Sequence, residues 1–363
     1  MLRWKVAILL VPVLGACGHD ASPVTLGAAG PWTSPYGVLA RRGIDLAVDE
    51  INASGGINGR PLRILARDDM GSGVKAVDVA QEFVANRDVL GVIGHLSSGA
   101  MIAAARIYDT QLAAVPTSAT SPDLTGISHW VFRVIPSDSV TGIDLAHFAG
   151  RLGRRRAAVL YENDSYGRGL ARAFEKSFGG SIVSADPIDP LAASYEPYIA
   201  FFRRSAPDLV FVAGTDASGI AVLREARREK LNADFLGGDG WTGVTVDTSD
   251  AEGVYVATPF TETDTRPEVQ KFVAAYRARY GGATPPPDAA LAYDATRLLA
   301  LAVAKGGATR TGVQRYLASL DAQHPFVGVV GPVHFASNGD PIGKSLTITR
   351  VHHGTLVVTQ GGA

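Results

Sequence analysis

The chain has 363 residues, 46% of them hydrophobic, which is enough for two domains with cores of their own. Its 34 basic and 35 acidic residues leave a net charge of −1 with no basic stripe, a balance that argues against a nucleic-acid partner. The single cysteine, Cys17, excludes an intramolecular disulfide.

Arg3 and Lys5 precede an apolar run from Val6 to Ala16 that is too short to span a bilayer and has the layout of a signal peptide. Leu14-Gly15-Ala16-Cys17 reads as a lipobox, the bacterial signal for lipid attachment to cysteine. The expectation is a signal peptide over 1–16 and a lipidated tether over 17–23, with the mature protein outside the cytoplasm and anchored by acyl chains at Cys17. No later stretch is apolar enough to cross a membrane.

Strands and helices then alternate. Val24 to Ala28, Leu62 to Asp69, the apolar pair Val92–Ile93, Leu112 to Val115 and Trp130 to Pro136 read as strands. Between them, Tyr36 to Ser54 is a helix with Ile44, Ala47, Val48 and Ile51 on one face, and Val74 to Asn86 and Met101 to Gln111 are two more. The pattern restarts after Pro136. Strands at Arg156 to Glu162, Ser181 to Ala185, Asp208 to Gly214 and Asp234 to Gly238 alternate with helices at Ser139 to Leu152, Tyr166 to Phe178, Glu196 to Ser205 and Ser218 to Lys230. Such alternation implies parallel sheets covered by helices on both faces. The tail holds helices at Pro267 to Tyr280, Ala289 to Lys305 and Thr311 to Leu320, then short strands and a hairpin turning near His353–Gly354. The chain thus revisits a lobe it had left, which implies several hinge crossings and a cleft between lobes.

Two strand-end corners carry the chemistry. "GHLSSGAM" (Gly94 to Met101) begins like a phosphate loop but has Ala100 and Met101 where Lys and Ser/Thr are required. It is also out of register for a G-x-S-x-G nucleophile elbow. Ser97 or Ser98 can cap the following helix without excluding a ligand. "VPTSATSP" (Val115 to Pro122) supplies a second polar corner with Ser118 and Thr120. Two lysine-free corners at adjacent strand ends suit a small anion such as a carboxylate. The eight histidines show no metal-ligand spacing, and adjacent His352 and His353 on a strand are expected on opposite faces. No metal, cofactor or nucleophile–base pair is expected.

"GIDLAVDEINASGGINGRPLRI", "VIGHLSSG", "PTSATSPDLT", "YENDSYGRGLARAFE" and "FLGGDGW" stand in an order that resembles the branched-chain amino-acid (leucine/isoleucine/valine) substrate-binding proteins of ABC transporters, over nearly the whole mature chain. The resemblance implies roles for particular residues. Ser98 and Thr120 would hold a ligand α-carboxylate, the Ser118 carbonyl and Asp239 would take the α-ammonium, and Tyr166 and Tyr36 would close on the ligand. Tyr166 and Tyr36 also fit plain packing, and Asp239 a turn cap. The chain departs from the pattern in three places. Thr215 or Asp216 replaces a second-lobe tyrosine, and Asp216 is either a second acid or a helix cap. Trp241 is expected to line the side-chain pocket, which favours an apolar ligand where Asp216 favours a polar one. Ser97 stands near the position of a disulfide cysteine in some relatives.

The expected fold is α/β, two doubly wound parallel-sheet lobes joined by a multi-strand hinge, as in the type I periplasmic-binding fold. Lobe 1 is expected over 24–137 plus about 262–330, and lobe 2 over 138–261 plus about 331–363. The implied function is a non-enzymatic extracytoplasmic lipoprotein, acting as a monomer, that binds a small amino acid or carboxylate and hands it to an ABC permease, touching the membrane only through its anchor. A ligand-sensing module of a signalling system and a hydrolase using Ser98 are the rival readings.

Overall fold

The computed structural model describes residues 22–247 and 249–359. The signal peptide, Cys17 and all but the end of the tether lie outside the described residues. Among the described residues, no helix is long and apolar enough to cross a membrane.

The first sheet is parallel throughout. It contains β1 (Val24–Gly30), β2 (Leu62–Asp68), β3 (Val89–Ile93) and β4 (Ala114–Val115) in the order β2-β1-β3-β4. Every residue of β1 is buried, as expected for a central strand covered on both faces. The connecting helices are α1 (Pro35–Ala53), α2 (Gly73–Ala85) and α3 (Ser98–Tyr108).

The second half carries α4 (Asp138–Arg151), α5 (Ser165–Ser177), α6 (Glu196–Ser205) and α7 (Asp216–Arg228) around β5 (Arg156–Glu162), β6 (Ser181–Ile188), β7 (Leu209–Ala213), β8 (Asp234–Gly237) and β9 (Tyr255–Thr258). The chain then returns to the first sheet with α8 (Pro267–Arg279), α9 (Pro287–Gly306) and α10 (Arg310–Ala318). Tyr280 Oη donates to the Arg42 carbonyl at 2.8 Å and Tyr293 Oη to Glu50 at 2.5 Å, fixing α8 and α9 to α1. The Arg310 guanidinium donates to the carbonyls of Phe83, Val84, Asn86 and Val89, so one side chain ties α10 to the α2–β3 connection.

A small antiparallel pair, β10 (Phe326–Gly328) and β11 (Gly331–Val333), precedes β12 (Thr347–His352) and β13 (Thr355–Val358). These last two strands complete a seven-stranded sheet, β13-β12-β9-β8-β7-β5-β6. Both ladders of β12 are antiparallel, so this sheet is mixed rather than wholly parallel. The chain passes between the two sheets three times: before α4, between β9 and α8, and between α10 and β12.

Two local expectations are corrected. Trp130 to Pro136 is not a strand. Its pairing to β4 is the single bridge of Val131 with Ala114, closed by the Phe132 N–H, and the N–H after that, of Arg133, goes to the Gly339 carbonyl. His352 and His353 do not face apart either. His353 sits in the turn with φ +48°, which breaks the strand alternation, and the two rings lie 4.1 Å apart.

Replacing Arg310 by alanine removes four charge-assisted bonds to backbone carbonyls, of which that of Asn86 keeps the Val89 N–H. It is expected to cost about 2–4 kcal/mol, measured by urea unfolding.

Candidate ligand-binding cleft

A cavity of about 480 Å³ lies where the strand C-terminal ends of the two sheets meet. Residues after β1 (Tyr36), β2 (Gly71), β3 (Ser97, Ser98) and β4 (Ser118) line it from one side, with Asp288 at the start of α9. Residues after β5 (Asp164, Tyr166), β7 (Thr215, Asp216) and β8 (Asp239) line it from the other. Parallel strands place all their loops at one end, and this is where open α/β sheets bind ligands.

Ser97 occupies the N-cap position of α3 but makes no side-chain capping bond; its hydroxyl points to the Gly71 carbonyl at 3.5 Å. The start of α3 therefore keeps its partial positive charge for the cavity. Ser98 Oγ accepts two backbone N–H groups, from Thr120 and Ser121, both at 3.2 Å. A hydroxyl has two acceptor sites and one proton, so these contacts occupy the lone pairs and leave the O–H to donate.

Thr120 is thereby removed from the wall. It is fully buried behind Ser98, its N–H is spent on Ser98, and it does not line the cavity. The corner is braced by Arg133, which donates to the carbonyls of Thr120 (3.1 Å) and Ser121 (2.9 Å), to the Thr125 hydroxyl and to Asp340. Beneath it lies Asp138, fully buried. Neither of its oxygens has a hydrogen-bond partner among the described residues, although the Thr120 hydroxyl is its neighbour. Burial, reinforced by the charge of Asp239, holds the Asp138 carboxyl far above its usual range.

In the second half, Tyr166 Oη donates to Asp239 Oδ1 at 3.1 Å and accepts the Gly240 N–H at 3.0 Å, which fixes both side chains. Asp216 accepts the Gly243 N–H at 2.9 Å at the first turn of α7, and Asp164 caps α5 through the Gly167 N–H at 2.8 Å. Trp241 does not line the cavity. Its indole is fully buried in the core of the second sheet, lying over Gly237 so closely that a Cβ there would stand 2.2 Å from the ring. Of the nine residues singled out in the sequence, the cavity gathers Tyr36, Ser97, Ser98, Ser118, Tyr166, Asp216 and Asp239.

Asp288, Asp164 and the supporting pair Arg133 and Asp138 were missed. Arg133 had a signal, as a lone charge inside the apolar run "WVFRVIP". Asp288 follows three prolines and reads only as a helix start. It sits deep in the cleft while part of its surface still meets solvent, with the Ser118 hydroxyl at 3.5 Å. Burial, then the charges of Asp216 and Asp239, pushes its carboxyl from 3.8 to about 7. Burial likewise pushes Asp216 to about 6 against the Gly243 bond, and raises Asp239 against the bonds from Tyr166 and Gly240. Elsewhere, Glu252, His352 and His353 bring three potential metal-ligand atoms within 4.8 Å on an exposed surface, a grouping hidden by the sequence distance to Glu252. The His352 Nδ1 is already paired to Glu252 at 2.9 Å.

Two sheets whose strand-end loops enclose one cavity, largely apolar with hydroxyls and carboxylates set into its wall, define a substrate-binding protein. The chain belongs to the periplasmic binding protein family, whose model matches residues 23–355. It is 28% identical over 352 residues to an amino acid binding protein of Pseudomonas aeruginosa, covering 92% of this chain and 91% of that one. It is 30% identical over 253 residues to a Leu/Ile/Val-binding protein of Escherichia coli, covering 67% of this chain and 69% of that one. A solved ABC transporter substrate-binding protein from Desulfitobacterium hafniense, in complex with Leu, superposes with a TM-score of 0.82 at 32% identity, over 93% of this chain and all of that one.

Asp288 and Asp216 hold protons more tightly folded than unfolded, so their ionisation lowers stability as pH rises from about 4 to about 7, with no further loss above that window. Asp288→Asn is therefore expected to raise the Tm of the unliganded protein at pH 8 by about 2 °C, after allowance for solvent screening, and to leave it unchanged at pH 4. Scanning calorimetry at both pH values checks this.

Proposed function

We propose that this chain is an extracytoplasmic lipoprotein, anchored through Cys17, that captures a small amino acid or related carboxylate between two lobes and delivers it to an ABC permease. The observation that carries the reading is the pairing of opposite chemistries across one cavity. On one side are the free O–H of Ser98 and the uncapped start of α3; on the other is the Asp239 carboxylate held by Tyr166. A zwitterion satisfies both sides, and an unpaired charge enclosed on either would be costly. The relatives named for amino-acid binding support the same reading.

In this reading the α-carboxylate meets Ser98 and the α3 N–H groups, while the α-ammonium meets Asp239 and the Ser118 corner. Thr120 acts by holding Ser98, and Tyr36 and Tyr166 cover the ligand from opposite halves. The lobes are 24–137 with about 262–330, and 138–261 with the remainder. Gly169 of α5 lies against Pro122 of the other half, where an added Cβ would stand 2.5 Å from the proline Cδ.

Ligand-stripped protein, screened by thermal shift against the twenty amino acids, is expected to show stabilisation that rises with ligand concentration. No response to any of them would overturn the amino-acid reading. Asp239→Ala is expected to weaken the best ligand about 30- to 1,000-fold by calorimetry while the protein stays folded. Gly169→Val tests closure separately. It is expected to lose affinity at least about tenfold; an unchanged unliganded Tm assigns the contact to the closed arrangement, and a lowered one shows that the contact is made without ligand.

A further inference from the structure

Among the described residues, the cavity wall carries four carboxylates, Asp164, Asp216, Asp239 and Asp288, and no Lys, Arg or His. Arg133, the buried cation behind the second corner, is committed to Asp340, two carbonyls and a hydroxyl. An α-amino acid with a neutral side chain brings one positive and one negative charge. Its carboxylate belongs at the Ser98 corner and its ammonium at Asp239, which leaves the remaining acids without a counter-charge.

Those acids are not equivalent. Asp164 spends its charge on the α5 N-terminus through the Gly167 N–H, and Asp216 receives one N–H from Gly243. At α9 the N-cap is Pro286 and no side chain caps the helix, so Asp288 is not a cap; its hydrogen bond is a 3.5 Å contact from the Ser118 hydroxyl. Asp288 comes from the first half of the molecule, and Asp216 and Asp239 from the second. They lie close enough for the charges of the latter two to oppose ionisation of the first. Closing the cleft therefore sets like charges against one another across it. A cation between them turns that repulsion into two attractions. The wall between the charged ends is apolar, with Leu96, Leu291, Pro259 and Pro287 beside the polar groups, which suits an aliphatic stem.

We infer that the ligand is a basic amino acid, whose side-chain cation is received between Asp288 and Asp216 across the cleft. The inference rests on the amino-acid reading above and narrows its substrate class. The stem of such a ligand runs along the apolar part of the wall, and its second nitrogen lessens the excess negative charge that a ligand with one nitrogen leaves there.

Calorimetric titration of the ligand-stripped full chain with L-lysine, L-ornithine, L-arginine, L-leucine, L-isoleucine, L-glutamate and 1,5-diaminopentane tests it. At least one of the three basic amino acids is expected to bind about tenfold or more tighter than leucine, and glutamate weakest. Asp288→Asn is expected to reduce that preference about tenfold or more while the affinity for leucine is kept or improved, a result that misfolding would not give. If leucine or isoleucine binds as well as or better than all three basic amino acids, this inference is overturned and the amino-acid reading stands. A preference unchanged in Asp288→Asn overturns the assignment of the cation to Asp288. Binding of the diamine alone sinks both readings; binding of nothing in the panel overturns this inference and leaves the amino-acid reading to the screen of all twenty.

Discussion

The cleft depends on what two backbone N–H groups do to one hydroxyl. Thr120 and Ser121 donate to Ser98 Oγ, which joins the corner after β3 to the corner after β4 and fixes the direction of the one proton Ser98 can give. Without that contact the two corners would be separate loops, each with polar groups facing a wet gap. With it they form one rigid surface, and Arg133 secures the outer side by taking the carbonyls of the same two residues. The segment from Thr120 to Ser121 thus has its N–H groups turned to the ligand wall and its carbonyls to a buried guanidinium. A backbone segment satisfied on both sides has little freedom to adapt.

The opposite wall works by charge. Tyr166 shows the difference: its hydroxyl both donates to Asp239 and accepts from Gly240, so the acid is aimed but not neutralised. Asp216 on this wall, and Asp288 facing it from the Ser98 side, have still fewer compensating contacts. An empty cavity of this kind stores unfavourable electrostatic energy, and the occupant that relieves most of it is the one retained. Under the proposed function, donors fixed on one side and acids with few partners facing them would make the site directional.

How legible this was in the sequence follows from the range of each interaction. Strand and helix alternation is local, so the fold class could be read from the chain and most elements fall where periodicity puts them. The exceptions are tertiary. Trp130 to Pro136 has a strand's composition, but its backbone is drawn to Gly339, and His353 leaves the strand through a left-handed turn. The site divides in the same way. Ser98, Ser118 and Asp239 stand at strand ends, where sequence pattern and cleft geometry coincide. Trp241 stands two residues from Asp239, yet its indole turns inward over Gly237 into the core, which dissolves the conflict it posed with Asp216. Asp288 reaches the cavity because α9 packs on α1, a contact between segments more than 200 residues apart that no local pattern announces.

The order in which the chain visits its two sheets also sets when either can be finished. The first sheet is covered on the α1 side by α8 and α9 and tied through Arg310 on α10, all made after the second half. The second sheet receives β12 and β13 only from the last described residues. A growing or partly threaded chain therefore exposes apolar faces of both sheets until nearly its whole length is present. Neither half closes its sheet from one contiguous segment, so the cleft between them exists only once the returning helices and strands are in place.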